Sequence, residues 1–189
     1  EATTWENKTL YIQNKFSPQK KGPGASYAAK IRFQRAYANF EEMKKIVLPA
    51  EEEKVLKAFK AKEAAYKKLE KELGEVIEYD SGEEIIAAST IYAFASQDVA
   101  DTLSKASIPP ELMTPDEIQQ YKQVLETQAE PYKKKALQGF KLALSRAKEL
   151  EIYNQWYFAA NQYMAILDPT FVDRGEVTMP FRSIDWMGL

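Results

Sequence analysis

Three carboxylate pairs come nearest to acid and base chemistry in this chain: Glu83 with Glu84, Asp98 with Asp101, and Asp116 with Glu117. Such a pair divides the two roles only when burial separates its pKa values. Two of the three stand at helix starts, where acids are expected for capping and for complementing the positive end of the helix. Nothing in the sequence around them signals burial. The chain has no His and no Cys, which removes the usual general base near neutral pH, the commonest metal ligand and every thiolate. There is no G-x-S-x-G elbow and no phosphate-cradling loop; Gly22 and Gly24 in "KKGPGAS" are read as a flexible connection. The expectation is therefore a non-enzyme with no catalytic residue, no metal site and no cofactor.

Recognition chemistry is better represented. "IYNQWYFAANQYM", residues 152 to 164, gathers Tyr153, Trp156, Tyr157, Phe158 and Tyr163 among Asn154, Gln155, Asn161 and Gln162. So many rings on about three turns cannot share one core stripe, so some face solvent, a neighbouring helix or a partner. Tyr153 and Trp156 fit either core filling with a bonded polar tip or an interface anchor. Asn154 is a candidate for holding the backbone of an extended peptide. The tail "TFVDRGEVTMPFRSIDWMGL" has no helical period yet carries Phe181, Ile184, Trp186 and Met187, more apolar residues than a disordered tail usually has. It is expected to pack back as an extended arm or to dock into a partner, with Phe181 and Trp186 as its anchors.

Helices must position these groups. Phe33, Tyr37, Phe40, Met43 and Val47 recur at helical spacing, which predicts an amphipathic helix over 26–47 with Ser26 as its N-cap. Residues 1–15 predict a preceding helix. Pro49 and the acids after it open a long helix to about 79, whose stripe of Val55, Phe59, Tyr66, Leu69, Leu73 and Val76 is broken by Lys62. Ser81 with Glu84, and Thr114 with Pro115 and Glu117, predict two capping boxes. The helix between them, 83–106, is rich in Ala87, Ala88, Ala93, Ala95 and Ala100, which lets neighbours approach closely. "SIPPELMTP" must be a loop. Helix 115–150 follows, kinked or split at Pro131, and a last helix covers 153–167. No period-2 alternation bounded by hairpin turns predicts a strand.

The fold class is thus all-α. The 189 residues, 45% of them hydrophobic, suffice for a real core. They divide into an N-terminal helix and linker at 1–25, a helical domain at 26–168 and an extended tail at 169–189. Charge is uneven: residues 1 to 50 hold nine basic and four acidic groups, net +5, and 81 to 131 hold two basic and nine acidic, net −7. A basic end of this kind steers anionic partners, lipid headgroups included, although a solvated face explains it as well. No apolar run approaches the ~20 residues that span a bilayer, and no nucleic-acid partner is expected. The start at Glu1 suggests a mature form or an excised piece.

Ala136, Phe140 and Ala143 have the small-aromatic-small spacing of a tetratricopeptide second helix. "YAAKIRFQRAYANFEE", then "KAKEAAYKKLEKELGEVIEYDSGEEIIAASTIYAFAS", then "IPPELMTPDEIQQYKQVLETQAEPYKKKALQGFKLALSRAKELEIYNQW" resemble, in that order, the C-terminal region of large tetratricopeptide-repeat proteins of gliding and predatory bacteria. The resemblance covers about residues 24–168. It implies antiparallel helix hairpins in a tetratricopeptide-like solenoid or irregular bundle. It also implies a protein-protein interaction scaffold of the periplasm or outer membrane, within a gliding-motility or envelope-spanning assembly. Two alternatives stand beside it: the structural superhelical part of a peptidoglycan-cleaving enzyme, and a peripheral membrane module using the basic first 50 residues.

Overall fold

The computed structural model describes residues 2–171 except 50, 51, 111, 113 and 169, and not the side chains of Ala2, Glu52 and Glu53. The tail from 172 onward, with Phe181 and Trp186, lies outside the described residues. Six helices follow in order: α1 (Ala2–Phe16), α2 (Ala25–Lys44), α3 (Glu52–Ile77), α4 (Gly82–Ser104), α5 (Pro115–Glu149) and α6 (Gln155–Leu167). Among the described residues there is no strand.

Each helix packs on the next, and α4 also touches α2 and α6. Antiparallel order is visible in the pairs Arg32 with Glu75 and Asn39 with Glu72 between α2 and α3. Between α3 and α4 it is visible in Tyr66 with Ser96 and Lys62 with Asp98. The parallel helices α2, α4 and α6 form one layer, and α3 and α5 form the other. This is the arrangement of stacked helix hairpins, in which each pair covers its apolar face with the next.

Helix α4 is central because its side chains are small. Ala87, Ala88, Ala93, Ala95 and Ala100 are all buried, together with Ser89, Thr90 and Ser96. The hydroxyls of those three return to carbonyls one turn back, at Ile85, Ile86 and Tyr92, so their burial leaves no donor stranded. Opposite α4, Gly139 of α5 sits so close that a Cβ there would lie 2.9 Å from the Ala93 Cβ. The Ala136, Phe140, Ala143 spacing is the core stripe of this contact: all three are fully buried. Phe140 meets Phe94 at 5.0 Å and Tyr163 at 5.9 Å between ring centres.

Helix boundaries correct several expectations. Ser26 is not the N-cap of α2; Gly24 is, at φ 87°, and its carbonyl accepts from the Ala28 N–H at 3.1 Å. That left-handed geometry suits Gly and disfavours a residue with a Cβ. The loop before it is not a free connection either. Asp80 N–H donates to the Lys20 carbonyl at 3.1 Å, and Lys20 pairs with Glu78, which pins the loop to the α3–α4 turn. Thr114 and Glu117 do form a capping box. Ser81 is the N-cap of α4 but makes no side-chain cap bond, because its hydroxyl donates to the Glu84 carboxylate instead. Pro131 does not split α5, which runs unbroken for 35 residues. Pro131 and Thr127, whose carbonyl loses its partner there, are both exposed, so the gap opens to solvent. Tyr153 and Asn154 precede α6, which starts at Gln155.

Helix α1 packs on α2, where Leu10, Ala25, Ala28, Ala29 and Tyr79 form a small separate cluster. Arg35 adds bonds to Glu6 at 3.0 Å and to Asn7 at 2.8 Å.

Candidate partner-binding surface

Trp156 stands in the first turn of α6, oriented by the cap before it. The Asn154 carboxamide oxygen accepts from the backbone N–H of Trp156 at 3.0 Å and of Tyr157 at 3.2 Å. Two orphan donors of the helix start are thereby satisfied. That oxygen is committed to the cap, so Asn154 orients the aromatic residues and is not placed to hold a peptide backbone with it.

From this position the half-buried indole reaches across α4 to α2. Its ring centre lies 5.4 Å from Phe33 at 79° and 6.1 Å from Tyr37 at 63°. Edge-to-face pairs of this kind add roughly 0.5–1.5 kcal/mol each beyond the area they bury. Helices α2 and α6 can share these rings only because α4 between them is slim: the Thr90 hydroxyl is 3.4 Å from the Trp156 carbonyl. Phe33, Gln34, Tyr37, Gln155 and Trp156 line a shallow cleft of about 350 Å³. Its floor is aromatic and its rim carries two exposed amides, Gln34 and Gln155. Burial, reinforced by Glu41, pushes the Tyr37 hydroxyl above its ordinary pKa.

Tyr153 is 38% exposed and stacks edge-on against Tyr157 at 5.0 Å, one turn from the cleft. Phe158 and Tyr163 turn toward the core, and Tyr157 is fully inside it. The structure therefore joins Trp156 to Phe33 and Tyr37, which the sequence placed on a core stripe. Their role in a cleft had no local signal, because it depends on a helix more than a hundred positions away.

The carboxylate pairs do not come together as a site. Glu83, Asp116 and Glu117 lie exposed at helix starts. Asp98 is half-buried, but it faces Lys62 at 2.8 Å rather than Asp101, and Asp101 accepts from Gln97 and Lys105. Among the described residues no group of His, Cys, Asp and Glu could hold a metal ion, and no helix is long and apolar enough to cross a membrane. Protein-family profiles, curated proteins and solved structures yield no match to this chain.

Proposed function

We propose that this chain is a non-catalytic helical scaffold that binds a protein partner across the cleft between α2 and α6. The observation that carries it is the Trp156 ring set edge-on to Phe33 and Tyr37 beside an open cleft rimmed by Gln34 and Gln155. Aromatic floors anchor apolar side chains, and rim amides can pair with the backbone of an extended segment. The partner's membership of a bacterial envelope assembly, one for motility included, rests on the resemblance over residues 24–168 alone.

A photo-cross-linking amino acid at Gln34 or at Gln155, in the full-length protein in its native cells, tests the reading. Both positions are expected to capture one and the same protein, and a control at the exposed Lys134 is expected to capture none. Failure at both positions, or the same adduct from Lys134, would overturn it. Incubation with cell wall is expected to release no fragments, and measurable cleavage would end the non-catalytic assignment.

A further inference from the structure

Helix α1 buries one side and leaves the other bare. Leu10 joins the small cluster with α2, and Gln13 is buried as well. Trp5, Ile12 and Phe16 lie within about 40° of one another at ~100° per residue, on the side away from Leu10. They are 67%, 44% and 74% exposed, and Tyr11 is 63% exposed. Among the described residues α2 is the only helix against which α1 packs, so this face stands out as a ridge and not as a groove.

We propose that the ridge lays α1 on an anionic lipid surface. The proposal is independent of the α2–α6 cleft and adds a second attachment to it.

Charge points to this occupant. Lys8 and Lys15 flank the apolar line on one side, about 60–80° round the helix. Their ammonium groups rest over rings, Lys8 5.1 Å from the centre of Trp5, and Lys15 5.4 Å from that of Phe16 and 5.9 Å from that of Tyr11. From 3 to 30 the chain holds five lysines and one acid, Glu6, and Arg35 takes up that acid at 3.0 Å. Lys8, Lys15, Lys21 and Lys30 are all exposed. Each lysine near an anionic membrane strengthens binding ~5-fold. The basic excess of the first 50 residues thereby gains a particular face.

Shape points the same way. A ridge offers no pocket to the anchor side chains of a protein partner, whereas a fluid lipid surface accepts a convex apolar line. A second copy is a poorer occupant, because a two-fold contact sets the same patch against itself and so brings like charge toward like charge. On a membrane, Trp and Tyr rings settle at headgroup level, and lysine stems carry their ammonium groups past apolar neighbours to the phosphates. A helix held in this way lies in the plane of the interface with its apolar side ~5–10 Å deep.

Sedimentation of the full chain with vesicles tests the charge. Binding is expected to vesicles of equal parts phosphatidylcholine and phosphatidylglycerol, to fall steeply with added salt, and to be absent with phosphatidylcholine alone. Lys8→Gln with Lys15→Gln is expected to lower the partition coefficient ~30-fold. The same change at Lys134 and Lys141 of α5, which does not touch α1, is expected to leave it nearly unaltered. The absence of Cys also allows a single nitroxide at Ile12→Cys. On vesicles that label is expected to gain contact with dissolved oxygen and lose contact with a water-soluble nickel chelate. No binding at low salt, equal binding to phosphatidylcholine alone, or an equal loss from the α5 pair would overturn the proposal. So would a bound label that still meets the chelate. A label shielded from the chelate before vesicles are added reports a protein cover, a second copy included, and overturns it too.

Discussion

The Lys62 ammonium, 1% exposed, lies 2.8 Å from Oδ2 of Asp98 and donates a hydrogen bond of 2.9 Å to the Ile46 carbonyl. The contact with Asp98 is close in charge but not aligned as a hydrogen bond, since that oxygen has no bonded partner. One buried lysine thus ties the end of α2 to α4 through the core stripe of α3. Removing one member of a buried pair costs ~3–5 kcal/mol, and the part-open side of Asp98 lowers that. Lys62→Met is expected to destabilise by about 2–3 kcal/mol in urea denaturation near neutral pH.

Asp98 also sets a pH signature. Burial raises its pKa above the ordinary 3.8, and Lys62 only partly offsets this. In the folded state Asp98 therefore holds its proton to higher pH than in the unfolded chain. Its contribution is full below 3.8 and is lost as pH rises through the raised value. Wild type is expected to lose stability relative to Asp98→Asn over that rise, whatever constant offset separates them. Paired denaturation curves from pH 3.5 upward check this, and a difference that moves the other way would contradict it.

Two helical glycines are expected to respond with opposite signs. At Gly139 an added Cβ would lie 2.9 Å from the Ala93 Cβ and 3.2 Å from its Cα, so α4 and α5 must separate. Gly139→Ala is expected to cost about 1–3 kcal/mol net of any gain in helix propensity. At Gly74 nothing lies within 4 Å, and Gly74→Ala is expected to stabilise by about 0.5–1 kcal/mol. Chemical denaturation of the two variants reads both signs.

The two expected capping boxes are also predicted to differ. Thr114→Ala removes a hydroxyl that accepts from the Glu117 N–H at 3.3 Å, and is expected to cost about 1 kcal/mol. The loss should appear as faster hydrogen exchange in the first turns of α5. Ser81→Ala removes no backbone bond of α4, and is expected to leave exchange there nearly unchanged.

Much of the fold was legible because it is written in local patterns. The α4 alanines, the Thr114 cap and the long Lys/Glu helix each announce themselves within a few residues. What was not legible depends on partners distant in sequence. Lys62 reads as a fault in a heptad until Asp98 and Ile46 are beside it. Ser26 reads as a better cap than Gly24 until the loop's left-handed turn is known. Pro131 reads as a kink or a split, yet its exposed position lets α5 continue. Of the candidate site, Trp156 and Tyr153 were visible as excess aromatics. Phe33 and Tyr37 looked like core, because a helical stripe does not say which neighbour covers it.

The meeting of Phe33 and Trp156 also orders events in time. More than a hundred residues must be made after α2 before α6 can cover its aromatic face. At the ~5–20 residues per second of synthesis, that face stays bare for roughly ten seconds. During that interval Phe33 and Tyr37 are open to whatever waits near the ribosome, and the arrival of α6 ends that access.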